Sequence, residues 1–331
     1  MDKRIKHFAL SCAVVMPLLA QSAAMADSFK VVAFAGASNW PFWVGQDKGL
    51  FGNDKIDVVL DITPNSTEMA KNLHNGHYDL ALTSVDNIIA YDEGQGEVDL
   101  GGPADFVSLF GVDNGLLNVM AASSIQSIDE LKGKTLSVDA MTTGFAFVLR
   151  DVLQRHSISD KDVTWVKVGG GAQRLEALVK GEQTATLLNT PLDLAAEAKG
   201  FKRLLRVTDV LGAYQGIVGA TTRTTAKAKS DDIKHFIRAF HASVAWLYDP
   251  AHKEEALAIL MKNMKGMERP SAEKAYTALL DPTSGIYRDL VINREGMKAV
   301  LKLRSTYAEP KKTLTDPEKY IDESLLKAAL H

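Results

Sequence analysis

Apolar and polar positions along this chain fall into short blocks whose period switches repeatedly between strand-like and helical. Phe29 to Ala35 is an apolar, partly β-branched run that predicts a buried first strand. Gly36-Ala37-Ser38-Asn39 breaks it, and Trp40-Pro41-Phe42-Trp43-Val44 opens a helix that ends near Gly49-Leu50-Phe51. Ile56 to Ile62 predicts a second strand, Thr67 to Leu73 a helix stopped by Asn75-Gly76, and Asp79 to Thr83 a third strand. Helix resumes from Asp86. Strand and helix alternating in this way imply a largely parallel sheet covered by helices.

A second alternating block follows Gly101-Gly102. Phe106 to Gly111 and Leu116 to Ala121 predict strands able to connect two lobes. Ser127 to Leu131 starts a helix, Thr135 to Val138 is a strand, and Phe145 to Gln154 is helical. Val163 to Val168 predicts a strand, Gln173 to Lys180 a helix closed by Gly181, and Ala185 to Leu188 a strand ending at Asn189-Thr190-Pro191. From about Ser230 to His331 the pattern is almost purely helical. Ile233, Phe236, Ile237 and Phe240 recur at helical spacing, and Asp249-Pro250 restarts a helix with proline in its first turn.

The N-terminus changes the picture. Lys3, Arg4 and Lys6 precede an apolar run from Phe8 to about Leu19, and small residues then lead to Ala24-Met25-Ala26. This is the order of a cleavable signal peptide over residues 1–26, with an apolar run short of the roughly 20 residues a membrane span needs. Asp27 would become the new N-terminus and the periplasm the expected location. Ala9-Leu10-Ser11 makes a poor lipobox for Cys12. Cys12 is the chain's one cysteine, so cleavage removes disulfides, thiolate metal sites and cysteine nucleophiles from consideration. The 331 residues carry 38 Lys+Arg against 41 Asp+Glu, and the leader takes away three of the positive charges. A mildly acidic, well-mixed surface offers nothing to a nucleic acid.

The order of several short motifs resembles a known family. Ser38-Asn39-Trp40-Pro41-Phe42, Lys48-Gly49-Leu50-Phe51, Leu73 to Ala81, Ile128 to Thr135, Asn189-Thr190-Pro191 and Ala245 to Pro250 run in the sequence expected of one group of solute-binding proteins. That group is the sulfonate, nitrate, taurine and pyrimidine-precursor binding proteins of ABC importers. The resemblance implies an α/β type II periplasmic binding protein, each of its two lobes a mostly parallel sheet flanked by helices, with a helical C-terminal part. Lobe 1 would take residues 27–112, lobe 2 residues 113–214, and residues 215–331 would return to lobe 1. The implied partners are a small-molecule ligand and an inner-membrane ABC permease. A monomer is expected, with no cofactor, no metal and no chemistry of its own.

Ligands of such folds settle beyond the carboxyl ends of parallel strands, where helix N-termini expose free N–H groups. Asn39, Trp40 and Phe42 follow the first predicted strand and offer an amide and aromatic faces, although aromatics at a helix start also pack against their own lobe. Ser84 and Asp86 follow the third strand; Asp86 would either cap its helix or face the cleft and favour a donor-bearing ligand. Thr142, Thr143 and Gly144 open a helix whose hydroxyls and N–H groups suit an anion or a carbonyl, with simple capping as the other reading. Asn189 ends a strand beside the expected hinge and is either a ligand contact or a turn residue. Gly169-Gly170-Gly171 lacks the Gly-Lys-Ser/Thr of a phosphate loop, which leaves a flexible loop or a close backbone approach. His74 and His77 have no carboxylates arranged around them for a metal.

Two other functions fit the same pattern. A ligand-sensing protein that docks on a membrane receptor would have this sequence. An enzyme on the same fold, like the fungal pyrimidine-precursor synthase with its cysteine-rich iron motif, would require cysteines that the mature chain does not have. No G-x-S-x-G, H-E-x-x-H or Walker motif occurs. The expected ligand is a planar or anionic organic solute.

Overall fold

The structure, a computed structural model, describes residues 28–53 and 56–331. The signal peptide read at residues 1–26, with Cys12, lies outside the described residues. The chain begins with β1 (Phe29–Ala33), α1 (Trp40–Asp47), α2 (Leu50–Asn53), β2 (Val58–Ile62), α3 (Ser66–His74), β3 (Leu80–Ser84), α4 (Val85–Asp92) and β4 (Phe106–Gly111). It crosses over and builds β5 (Leu117–Ala121), β6 (Thr135–Val138), α5 (Gly144–Arg155), β7 (Thr164–Lys167), α6 (Gly171–Val179), β8 (Ala185–Asn189), α7 (Leu192–Ala198) and β9 (Lys202–Arg206). After α8 (Thr208–Leu211) it returns through β10 (Ile217–Thr222). The remainder is α9 (Arg223–Ala228), α10 (Ser230–Tyr248), α11 (Lys253–Asn263), α12 (Arg269–Leu279), α13 (Arg294–Tyr307) and α14 (Ser324–Leu330).

Two five-stranded sheets result, ordered β2-β1-β3-β10-β4 and β7-β6-β8-β5-β9. In the first, β1 is parallel to β2 and β3, and β10 runs antiparallel between β3 and β4. In the second, β6 is parallel to β7 and β8, and β5 runs antiparallel between β8 and β9. Each antiparallel strand is the one that has just crossed from the other sheet. A chain arriving from the opposite lobe enters at the far end of the sheet and so runs against its neighbours. The strands predicted at 106–111 and 116–121 are therefore the two ends of one crossing, and β9-to-β10 is the other.

Local chemistry starts and stops these elements. Asn65 caps α3 by accepting from the Glu68 N–H at 2.8 Å, and Asn293 caps α13 by accepting from the Gly296 N–H at 2.9 Å. Pro41 stands in the first turn of α1, where its missing N–H costs nothing. The core of the first lobe is aromatic. The Phe236 ring on α10 lies 5.5–6.4 Å from those of Phe29, Phe42, Phe51, Phe110 and Phe240.

The end of α4 gives the stability a pH dependence. Burial raises the pKa of Asp92 to about 7, against the opposing hydrogen bond from the Phe106 N–H at 2.7 Å. Burial also acts upward on its neighbour Glu93, but hydrogen bonds from Lys319, Lys312 and Tyr320 outweigh it and bring the pKa down to about 2. Glu93 therefore adds stability that is present above its unfolded value and lost as pH falls towards 2. Asp92 holds its proton more tightly folded than unfolded, so its contribution is lost as pH rises from about 4 to 7. The melting temperature should peak in mild acid and decline towards pH 7. Asp92→Asn, which can still accept from Phe106, should flatten the decline, and a variant that keeps the wild-type slope would count against this assignment.

Candidate functional site

The carboxyl ends of four parallel strands, two from each sheet, and the loop after a fifth meet in one cleft. Phe34, Gly36, Ser38 and Asn39 follow β1, and Ser84 and Asn87 follow β3. From the second lobe come Asp139, Thr143, Gly144 and Phe145 after β6, Gly170, Gly171 and Arg174 after β7, and Asn189 at the end of β8. The cleft encloses about 60 Å³ of free space. The lobes touch around it: the Gly170 N–H donates to the Pro64 carbonyl at 2.8 Å, and the Ser66 N–H donates to Asp139 Oδ2 at 3.0 Å. This is a closed arrangement of the two lobes.

Five of the residues singled out from the sequence line this space: Asn39, Ser84, Thr143, Gly144 and Asn189. Asn39 is fixed by donating from Nδ2 to the Phe34 carbonyl at 2.8 Å. Thr143 stands at the N-cap position of α5 without capping it, because its hydroxyl donates backwards to the Ala140 carbonyl at 2.9 Å. The first N–H groups of α5 are thus left facing the cleft without a side-chain cap. Ser84 Oγ is buried and has no hydrogen-bond partner among the described residues.

The other four are corrected. Trp40 is fully buried, donates from Nε1 to the Ala256 carbonyl at 3.2 Å and meets Tyr276 edge-on. Phe42 is fully buried against Phe51 and Phe236. Both side chains leave α1 on the face turned to α10 and α11, so neither ring reaches the cleft. Asp86 neither caps α4 nor faces the cleft, because its carboxylate is held by Arg304 at 2.8 and 2.5 Å. Thr142 lies just outside the cleft, where its hydroxyl donates to Glu97 Oε2 at 2.9 Å.

The sequence reading missed Arg174. It stands one turn into α6 and is only 3% exposed, yet its hydrogen bonds are to backbone carbonyls, Nη1 to Gly169 at 2.7 Å and Nη2 to Leu187 at 3.0 Å. Its Nε has no hydrogen-bond partner among the described residues. Burial lowers its pKa to about 10, with the charge of Asp139 acting the other way, so it remains cationic at neutral pH. The Gly169-Gly170-Gly171 run was one signal that could have found it. A Cβ on Gly170 would crowd the Pro64 carbonyl and the Phe34 ring, so this is the close backbone approach rather than the flexible loop. The cleft thus combines a buried cation, two helix N-termini, three asparagines, one carboxylate and the rings of Phe34 and Phe145. Such a set can hold a small anion or carbonyl oxygen at one end and a donor at the other.

Comparison with known proteins agrees with this architecture. Residues 37–256 match the family model described as NMT1/THI5 like. The ligand-binding component of an ABC-type import system from Staphylococcus aureus, with zinc bound, aligns with a TM-score of 0.72 at 15% identity, covering 91% of this chain and 98% of its own. The periplasmic nitrate-binding protein NrtA from Synechocystis PCC 6803 aligns with a TM-score of 0.71 at 15% identity, covering 91% of this chain and 88% of its own. For the periplasmic aliphatic sulphonate binding protein SsuA from Escherichia coli the TM-score is 0.66 at 20% identity, with 89% and 92% covered. At these identities the likeness is one of fold. No curated protein sequence matches the chain.

Proposed function

Because the chain belongs to the NMT1/THI5-like family, we propose that it is a non-enzymatic, periplasmic solute-binding protein that captures a compact organic anion between its lobes and delivers it to an ABC permease. The observation that carries this reading is Arg174, a guanidinium buried in the inter-lobe cleft with no carboxylate in ion-pair contact among the described residues. A buried charge compensated only at a distance, here by Asp139, is costly. A carboxylate or sulfonate entering the cleft would supply the missing partner. The uncapped N-termini of α5 and α6 face the same space and favour the same sign of charge. Phe34 and Phe145 would cover an apolar body, while Asp139 and the asparagines would take donors.

Size narrows the class. A water molecule needs roughly 10–15 Å³ by the same measure of free space, so a cleft of about 60 Å³ suits a ligand of a handful of non-hydrogen atoms. A flavin is too large for this closed state.

The test is a thermal-shift panel on protein beginning at Asp27, unfolded and refolded to strip ligand. Small carboxylates, alkanesulfonates, nitrate, pyrimidines, flavins and cationic amines are compared. A ligand at a hundredfold its Kd adds about 2.7 kcal/mol, which is readily read as a raised melting temperature. Compact carboxylates or sulfonates should give the largest shift. A response confined to cationic amines, or no response to any anion, would overturn the proposal.

A further inference from the structure

The most deeply buried ion pair of the described residues lies outside the cleft, at its rim. Arg304 on α13 is 0% exposed and Asp86 on α4 is 1% exposed, joined by two charge-assisted hydrogen bonds. Asp86 belongs to the first lobe, whereas α13 spans both: it starts on the first-lobe side and its far end lies against α5, where the Tyr307 hydroxyl donates to Gln154 Oε1 at 2.8 Å. Asp86 follows β3, and α13 begins where the Asn293 N–H donates to Gln215 Oε1 at 2.8 Å on the returning crossover. Arg294 beside it pairs with Glu323 at 2.7 Å.

The pair is sealed by the other lobe. Arg304 Nη2 also donates to the Thr142 carbonyl at 2.9 Å, and its guanidinium lies 5.0 Å from the centre of the Phe147 ring on α5. Asp86 packs directly on Gly144, where any Cβ would overlap the carboxyl group. Thr142 to Phe147 is the first turn of α5 and its approach, the same backbone that presents Thr143, Gly144 and Phe145 to the cleft. The carboxylate, already in the first turn of α4, thus gains the N-terminus of α5 as a second favourable neighbour only while the lobes are closed.

Resting on the reading of this protein as a two-lobed capture device, we infer that Asp86 and Arg304 form a closure latch, a pair of positioning residues that seat the first turn of α5 when the lobes meet. The pair touches no ligand. It sets how much of the protein is closed and therefore how tightly any ligand is retained, since apparent affinity scales with the fraction of the competent state.

Arg304→Lys separates the latch from the fold. Lysine keeps the charge opposite Asp86, but it lacks the planar fork that holds both carboxylate oxygens and reaches the Thr142 carbonyl as well. Protein from Asp27 has no cysteine, so Lys71→Cys on α3 and Lys161→Cys in the second lobe, both exposed, take a dye pair for single-molecule energy transfer. In ligand-stripped protein, Arg304→Lys should cut the closed population at least fivefold with the melting temperature little changed, and Gly144→Ala should do the same through its overlap with Asp86. Identical distance distributions for wild type and Arg304→Lys would overturn the latch. The capture reading is judged separately, by whether wild type shortens its inter-lobe distance with acetate or ethanesulfonate as probe.

Discussion

Arg174→Met should weaken retention of the bound anion at least a hundredfold, about 2.8 kcal/mol, while the protein still folds. The guanidinium is 3% exposed, and its partners are the Gly169 and Leu187 carbonyls. A ligand carboxylate or sulfonate would therefore be the first anion in direct contact with it, beyond the more distant charge of Asp139, and desolvated and close, where such a contact is worth most. Removing the cation leaves two carbonyls without a donor, at about 1–3 kcal/mol each. It also removes a buried charge, and the two effects on the ligand-free protein oppose each other. Arg174→Lys should fall between the two, because an ammonium cannot span both carbonyls and the ligand. Calorimetric titration with the anion that gives the largest thermal shift measures the affinity, and a melting curve without ligand measures the fold. Wild-type affinity in Arg174→Met would remove Arg174 from the site.

Trp40→Ala should do the reverse, destabilising the protein by about 3–5 kcal/mol with less than a threefold change in affinity. The indole is 0% exposed, edge-on to Tyr276 at 6.0 Å, with its N–H satisfied by the Ala256 carbonyl. Truncation leaves a large void between α1 and α11, while the Ala256 carbonyl keeps its place in the backbone hydrogen bonding of α11. Chemical denaturation gives the stability loss, and titration well below the midpoint gives the affinity of the folded fraction. A large affinity loss with a small stability loss would return Trp40 to the cleft. The two variants together separate what holds the first lobe together from what holds the ligand.

Most strands were legible as short runs of mainly apolar or β-branched residues; β3, β4 and β5 are buried at every position. β9 was not legible. Its sequence, Lys202-Arg203-Leu204-Leu205-Arg206, has the charge typical of an edge strand, and it has only β5 as a neighbour. The predicted first strand ran two residues too far, since Phe34 and Ala35 are apolar but turn into the cleft instead of continuing the ladder.

At the site, position after a strand was a sound guide to the backbone and a poor one to the side chain. Asn39 and Trp40 are adjacent, yet one faces the cleft and the other the core, because a helix start turns successive residues in different directions. Asp86 shows the same limit. Its place after β3 was visible, but its partner Arg304 lies 218 residues further on.

Residue pattern alone establishes a chain of alternating strands and helices in two blocks with a helical end, with punctuation at the strand ends where a ligand would settle. Those features are local: period, capping residues and glycine turns act within a few residues of each other. Which polar groups meet is set by the packing of the two lobes. An arginine one turn into an amphipathic helix ordinarily reads as a solvated surface charge; Arg174 became a buried cation because the second lobe packs α6 against β8 and the first lobe closes over its N-terminus at Pro64. Burial and charge pairing depend on contacts between residues far apart in the chain, and no local pattern encodes them.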